Sequence, residues 1–141
     1  MKKFELTENY KMCFGRKLFQ IRALVTINGV VKAGETGGYI EKEGNLSQFG
    51  NAWISGNARV SGNSRVTENA RVSGNALVTG NSRVTENACV SGNAFVTGNS
   101  RVTENARVSG NAFVGGNSCV SGNAHVHGDV LVLGDEFVSA N

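Results

Sequence analysis

Two histidines, His125 and His127, with Asp129 close behind, are the side chains of this sequence best suited to hold a metal ion or a proton. At i and i+2 they share one face of a strand. Neutral imidazoles are good Zn ligands, but a four-coordinate site wants a third protein ligand. The sequence has 2 His in all, so the third ligand must be Asp129 or a neighbouring subunit. An exposed or interface pair is the plainer alternative. His125 is also the one plausible general base. Cys13, Cys89 and Cys119 lack metal-ligand spacing and have no His at the distances of a nucleophilic site, and their odd number argues against a disulfide framework. Arg65, Arg83 and Arg101 are each followed three residues on by Glu68, Glu86 or Glu104. A row of Arg can bind phosphates or an acidic partner, or each Glu can neutralise its neighbour on a solvated face.

The elements that carry these residues are short and periodic. From Asn51 to Ala140 the chain is fifteen consecutive hexapeptides of the form Asn-(Ala/Ser)-x-Val-(Ser/Thr)-Gly, from NAWISG and NARVSG to DVLVLG and DEFVSA. Small or apolar residues at the second and fourth places alternate with variable or polar ones at the third and fifth, the period-2 pattern of a strand buried on one side. The Gly-Asn pair supplies a corner. Gly gives way to Glu at Glu68, Glu86 and Glu104 while the following Asn persists, which predicts that Asn takes the positive-φ position. Stacked Asn amides can also hydrogen-bond as a ladder. NSRVTE recurs at Asn63, Asn81 and Asn99, three hexapeptides apart, so three strands make a coil. The expected fold is an all-β, single-stranded parallel β-helix, a triangular prism of about five regular coils standing about 24 Å tall at ~4.8 Å per coil.

Residues 1–50 do not repeat. Residues 3–7 and 17–27 alternate enough to form strands, with Gly15 in the turn between them. The organisation expected is therefore a small N-terminal β cap leading into the solenoid over residues 1–50, and the repeat β-helix over 51–141. A cap covers apolar side chains and strand edges that an open end leaves bare. No apolar run approaches spanning length and the basic start has no signal-peptide core, so the reading is a cytoplasmic protein without a membrane partner. The net charge of +3 resides in residues 1–50. In the repeats six Arg balance Glu68, Glu86, Glu104, Asp129, Asp135 and Glu136, too even a balance to argue for nucleic acid.

With eighteen residues per coil, the outward third positions stack into three columns. The first holds Arg59, Leu77, Phe95, Phe113 and Leu131, with Leu133 beside the last. Its apolar members are expected to lie outside the core as a stripe that serves as an oligomer interface. The second holds Arg65, Arg83, Arg101, Cys119 and Phe137. The third holds Trp53, Arg71, Cys89, Arg107 and His125. There Trp53, Arg71 and Arg107, side chains typical of binding hot spots, are candidates for partner or anion binding.

The Val-to-Ala or Val-to-Ser spacing of four, as in Val60 with Ser64, resembles the hexapeptide-repeat left-handed β-helix family, and the left hand comes from that resemblance alone. Residues 21–24 (IRAL), 31–40 (VKAGETGGYI) and 45–54 (NLSQFGNAWI) are similar to the opening of YdcK-type proteins and related hexapeptide-repeat proteins of bacteria, phages and prophages. The resemblance implies a homo-oligomer, with a parallel trimer as first choice, and no settled activity. Acyltransferases of the wider family use a His base between subunits, with an inserted loop or C-terminal helix. No loop interrupts these repeats, which run up to the final Asn141. The reading is a non-enzymatic, self-associating β-helix that acts as an interaction protein. It needs no cofactor, and its role is that of a phage or prophage accessory factor binding a host protein or sequestering a small anionic ligand. An acyltransferase with an inter-subunit site based on His125 is the alternative.

Overall fold

The computed structural model describes residues 2–140. Alternation within each hexapeptide produces two-residue strands whose fourth-place Val points inward. Val60, Val78, Val96 and Val114 form one buried row, Val66, Val84, Val102 and Val120 a second, and Val72, Val90 and Val108 a third, all with no exposure. Burying each such side chain contributes roughly 1.5–3 kcal/mol. Ser64, Ser82, Ser100 and Ser118 take the second place where most other hexapeptides have Ala, and they too are buried. Their hydroxyls donate to backbone carbonyls, as Ser100 Oγ does to Thr97 O at 2.7 Å, so among the described residues no buried side-chain polar atom is left without a partner.

Three parallel sheets result, as the period of eighteen requires. The first-face sheet contains Arg59–Val60, Leu77–Val78, Phe95–Val96, Phe113–Val114 and Leu131–Val132. The second runs from Arg65–Val66 to Phe137–Ala140 and the third from Trp53–Ile54 to His125–Val126. All three outward columns are in register: Phe95 faces Leu77 and Phe113, Arg83 lies between Arg65 and Arg101, and Cys89 lies between Arg71 and Arg107. Ahead of the five regular coils comes an irregular one, in which Ser47 N donates to Val66 O, nineteen residues on, whereas Asn51 N donates to Glu68 O, seventeen on. Two extra residues between them give Gln48, whose Oε1 accepts from Lys3 N at 2.7 Å and Phe4 N at 3.2 Å.

The corner corrects the sequence reading. The sixth residue takes positive φ, in Gly (63–75° in the repeats) and in Glu68, Glu86 and Glu104 (61, 59 and 60°), and the Asn that follows does not. Asn is there for its side chain. Asn63, Asn81, Asn99 and Asn117 form a ladder in which each Nδ2 donates to the next Oδ1 at 3.0–3.2 Å. A second joins Asn75, Asn93 and Asn111, and a third Asn69, Asn87 and Asn105. Because every amide donates in the same direction, the far end needs only an acceptor. Asp135 and Asp129 supply it, accepting from Asn117 and Asn111 at 3.2 Å. At the near end of the first ladder Lys42 Nζ donates to Asn63 Oδ1 at 2.8 Å.

The N-terminal strands β1 (Phe4–Cys13) and β2 (Arg16–Ala23) form an antiparallel hairpin, and β3 (Thr36–Ile40) joins it to the first-face sheet, pairing antiparallel with β2 and parallel with Arg59–Val60. Phe14 and Gly15 turn it with φ of 51 and 77°, the two-residue arrangement whose twist suits a hairpin. The strand expected over residues 17–27 ends at Ala23 because Ile27 and Val31 exchange backbone hydrogen bonds around Asn28-Gly29. Phe4, Ile21, Ile27, Val31 and Ile40 enter the same apolar cluster as Ile54 and Ala58.

That packing overturns two expectations. Trp53, read as an outward hot-spot residue, is 2% exposed and belongs to the main cluster. At Gly37 a Cβ would lie 2.8 Å from Trp53 Cζ2 and 2.5 Å from Ile54 O, so the chain needs glycine where it passes the indole. Leu77, read as interface, is 5% exposed and forms a second cluster with Cys13 and Leu18, against which Tyr39 and Phe95 pack. The hairpin tip lies over this part of the first face. Lys11 sits 4.6 Å over the Tyr39 ring and Arg59 Nη1 donates to Cys13 Sγ at 3.7 Å. Glu41 anchors it: burial works to raise its pKa, but the Gly62 N–H and the Arg16 guanidinium outweigh that and hold it below the usual carboxylate range.

Three consequences can be measured. Asn99→Asp removes one ladder donor and sets two acceptors face to face, costing about 1 kcal/mol in denaturant unfolding, whereas Asp135→Asn at the ladder's end changes little. Trp53→Ala lowers stability by about 3–5 kcal/mol, as loss of a core aromatic does, rather than acting as a surface change. Lys3 is 4% exposed with Nζ donating to Ala52 O at 2.7 Å, and burial pushes its pKa down to about 8. Since the unfolded lysine titrates near 10.4, it binds more protons than the folded one between about pH 8 and 10, so stability rises with pH across that window. Lys3→Met loses this rise.

Candidate functional site

The third face carries an open recess. Its floor is the column Arg71, Cys89, Arg107 and His125, which the parallel register sets one coil apart, about 4.8 Å per step. The turn around Asn28 overhangs one end through Thr26, Ile27 and Val30, and Asn69 and Asn87 of a corner ladder form part of the rim. The groove is about 930 Å³ and open to solvent, and no Asp or Glu lines it.

Its electrostatics follow from that composition. Arg71 and Arg107 are exposed, and neither is ion-paired among the described residues, whose bridges join Lys2 to Glu43, Arg16 to Glu41 and Arg22 to Glu5. Two guanidiniums two coils apart thus face one groove with no local counter-charge, and Ser91 and Ser109 add hydroxyl groups to the lining. Of the sequence-predicted trio, Arg71 and Arg107 come together here, while Trp53 lies within the core. Nothing in the hexapeptides marked the overhang. Its trace in the sequence is the Asn28-Gly29 dipeptide, a turn signal inside an apolar run.

His125 closes the far end of the column. Its Nε2 lies 3.0 Å from Ser109 Oγ, and its ring centroid is 4.7 Å from that of His127. Asp129, the residue that could have completed a metal site, instead accepts from Asn111 Nδ2. Among the described residues no three His, Cys, Asp or Glu side chains converge.

The second face is built differently. Arg65, Arg83 and Arg101 are exposed in one row, yet none forms an ion pair with the Glu three residues on among the described residues. Glu86 Oε1 accepts from Thr103 Oγ1 at 3.2 Å, and Thr85 donates to Thr103 at 3.0 Å. Next in the Arg row comes Cys119, whose thiol pKa burial pushes up, with Arg101 opposing and Glu104 reinforcing the shift. Cys89 and Cys119 lie in different sheets, and all three cysteines are free. On the first face Phe95 and Phe113 stack at 5.2 Å, half-buried, while Leu131 is 60% and Leu133 45% exposed.

No described helix is long and apolar enough to cross a membrane. No curated protein matches the chain. The family model of the YdcK β-solenoid repeat matches residues 50–68 and 70–86. Those residues supply the turn from the irregular coil into the regular ones and the first coils that build the basic groove. Matched repeat and observed solenoid agree: over these residues the chain is similar to the YdcK β-solenoid repeat, and its fold is a parallel β-solenoid.

Proposed function

We propose that this chain is a binding protein that takes an anionic group of its partner into the third-face groove. The observation that carries the reading is the groove itself: two Arg and no carboxylate around about 930 Å³. Guanidinium groups bind carboxylate and phosphate through paired N–H donors, and a site walled on one side by the overhanging turn screens them less than a flat face. A small phosphorylated or carboxylated ligand fits, as does an acidic segment of a host protein. The similarity of residues 21–24, 31–40 and 45–54 to the opening of YdcK-type proteins, which occur in phages and prophages as well as bacteria, favours the latter.

Catalysis has one observation on its side, the 3.0 Å approach of Ser109 Oγ to His125 Nε2. A base and nucleophile work when a third group orients the imidazole, and among the described residues no such partner bonds to His125 Nδ1. Binding is therefore the better-supported function.

Titration calorimetry with inorganic pyrophosphate and with an oligoglutamate peptide tests it. The wild type binds at least one of them, Arg71→Gln with Arg107→Gln weakens that affinity tenfold or more, and the binding falls with added salt. Arg65→Gln with Arg83→Gln leaves it unchanged. Binding that survives loss of Arg71 and Arg107, or acetyl transfer from acetyl-CoA that His125→Ala abolishes, overturns the reading.

A further inference from the structure

The second face carries two rows of unlike charge that form no ion pair with each other among the described residues. Arg65, Arg83 and Arg101 form one row and Glu68, Glu86 and Glu104 the other, each member one coil from the next. Like charges about 4.8 Å apart repel along both rows. The glutamates carry a further cost, for they hold φ of 61, 59 and 60°, the left-handed region where every other regular corner but the last places Gly. Glu appears at a corner only where Arg stands three residues before it on this face. Arg59, Arg71 and Arg107 on the other faces are followed at that offset by Gly62, Gly74 and Gly110. Where the second column changes to Cys119 and Phe137, its corner changes to Gly122 and Ala140. The two rows therefore vary together without bonding to each other.

We propose that the second face is the interface with a second, parallel copy of this chain, related by a two-fold axis running along the prism. Such a rotation keeps each residue at its own height and exchanges left with right across the face. The Arg row of one copy then lies opposite the Glu row of the other, coil by coil: Arg65 with Glu68, Arg83 with Glu86, Arg101 with Glu104, and each pair again reciprocally. The contact is self-complementary, as a two-fold interface must be. Between the rows run Thr67, Thr85 and Thr103, small side chains that allow close approach. Beyond the charged coils the exposed Phe137 faces the small corner residue Ala140 of the second copy. Each row's self-repulsion is relieved by the opposing row, and the glutamates acquire a role that glycine cannot fill. The occupant is another copy because one face carries both halves of the pattern at the same spacing.

Charge exchange tests this. One variant carries Arg65→Glu, Arg83→Glu and Arg101→Glu, the other Glu68→Arg, Glu86→Arg and Glu104→Arg. At low salt the wild type sediments as a dimer or a multiple of it. Each variant alone faces like charge with like and loses this association, halving the mass, and an equal mixture of the two restores it. A third variant, Glu68→Gly, Glu86→Gly and Glu104→Gly, removes the unfavourable backbone positions and so folds at least as well as the wild type, yet it dissociates. Raising the ionic strength weakens the wild-type dimer, since exposed charges are screened over about 8 Å at physiological salt. A wild type that is a single chain at low salt, a glycine variant that keeps the wild-type mass, or folded exchange variants that fail to combine when mixed each overturn the interface.

Discussion

Each coil hangs on the next through backbone hydrogen bonds in which residue i donates to residue i+17, at 2.6–3.2 Å from Asn51 to Asn123. These bonds set the strand spacing, fix the register of every outward column and leave no freedom for a stray insertion once the regular coils begin. A one-residue slip would turn every Val outward. The three-sided prism closes only because a residue at each corner accepts positive φ, and the stacked corners approach closely: a Cβ at Gly98 would meet Gly116 O at 2.6 Å. Asn then adds a side-chain ladder to the backbone one, with the same direction and the same repeat.

This constraint makes the outer surface a set of straight rows, and function has to be written in rows. A single Arg on such a face is repeated or varied at each coil, so charge and apolarity accumulate along the axis. On the third face the result is a basic groove under an overhanging turn, on the second a pair of opposed charged rows, and on the first an apolar stripe. The N-terminal hairpin interrupts the last of these by covering Leu77 with Cys13 and Leu18. The buried Lys3 and the amide of Gln48 tie the start of β1 to the irregular coil, so the non-repeating segment is part of the same packed unit as the solenoid.

Much of this was legible in the residues themselves. The period of six predicted strands and corners, the period of eighteen predicted three faces and the contents of each column, and the stacking of Asn allowed for the amide ladders. All are properties of one repeat copied many times, so local alternation and a fixed offset suffice to place them. The corner was misread because replacement of Gly by Glu beside a persistent Asn suggested that Asn held the positive-φ position. Only the backbone angles show that Glu takes the unusual conformation and that Asn is retained for its amide.

What tertiary structure alone decided lies where the repeats meet residues 1–50. Trp53 and Leu77 occupy outward positions by the repeat rule, yet both are buried because a segment without period folds over them. Its path depends on contacts between residues more than thirty positions apart, such as Lys3 with Ala52 and Arg59 with Cys13, and no spacing within a repeat encodes such contacts. The groove has the same origin. The sequence placed Arg71, Cys89, Arg107 and His125 in one column, but the wall that turns that column into a recess comes from the Asn28 turn, brought there by long-range packing.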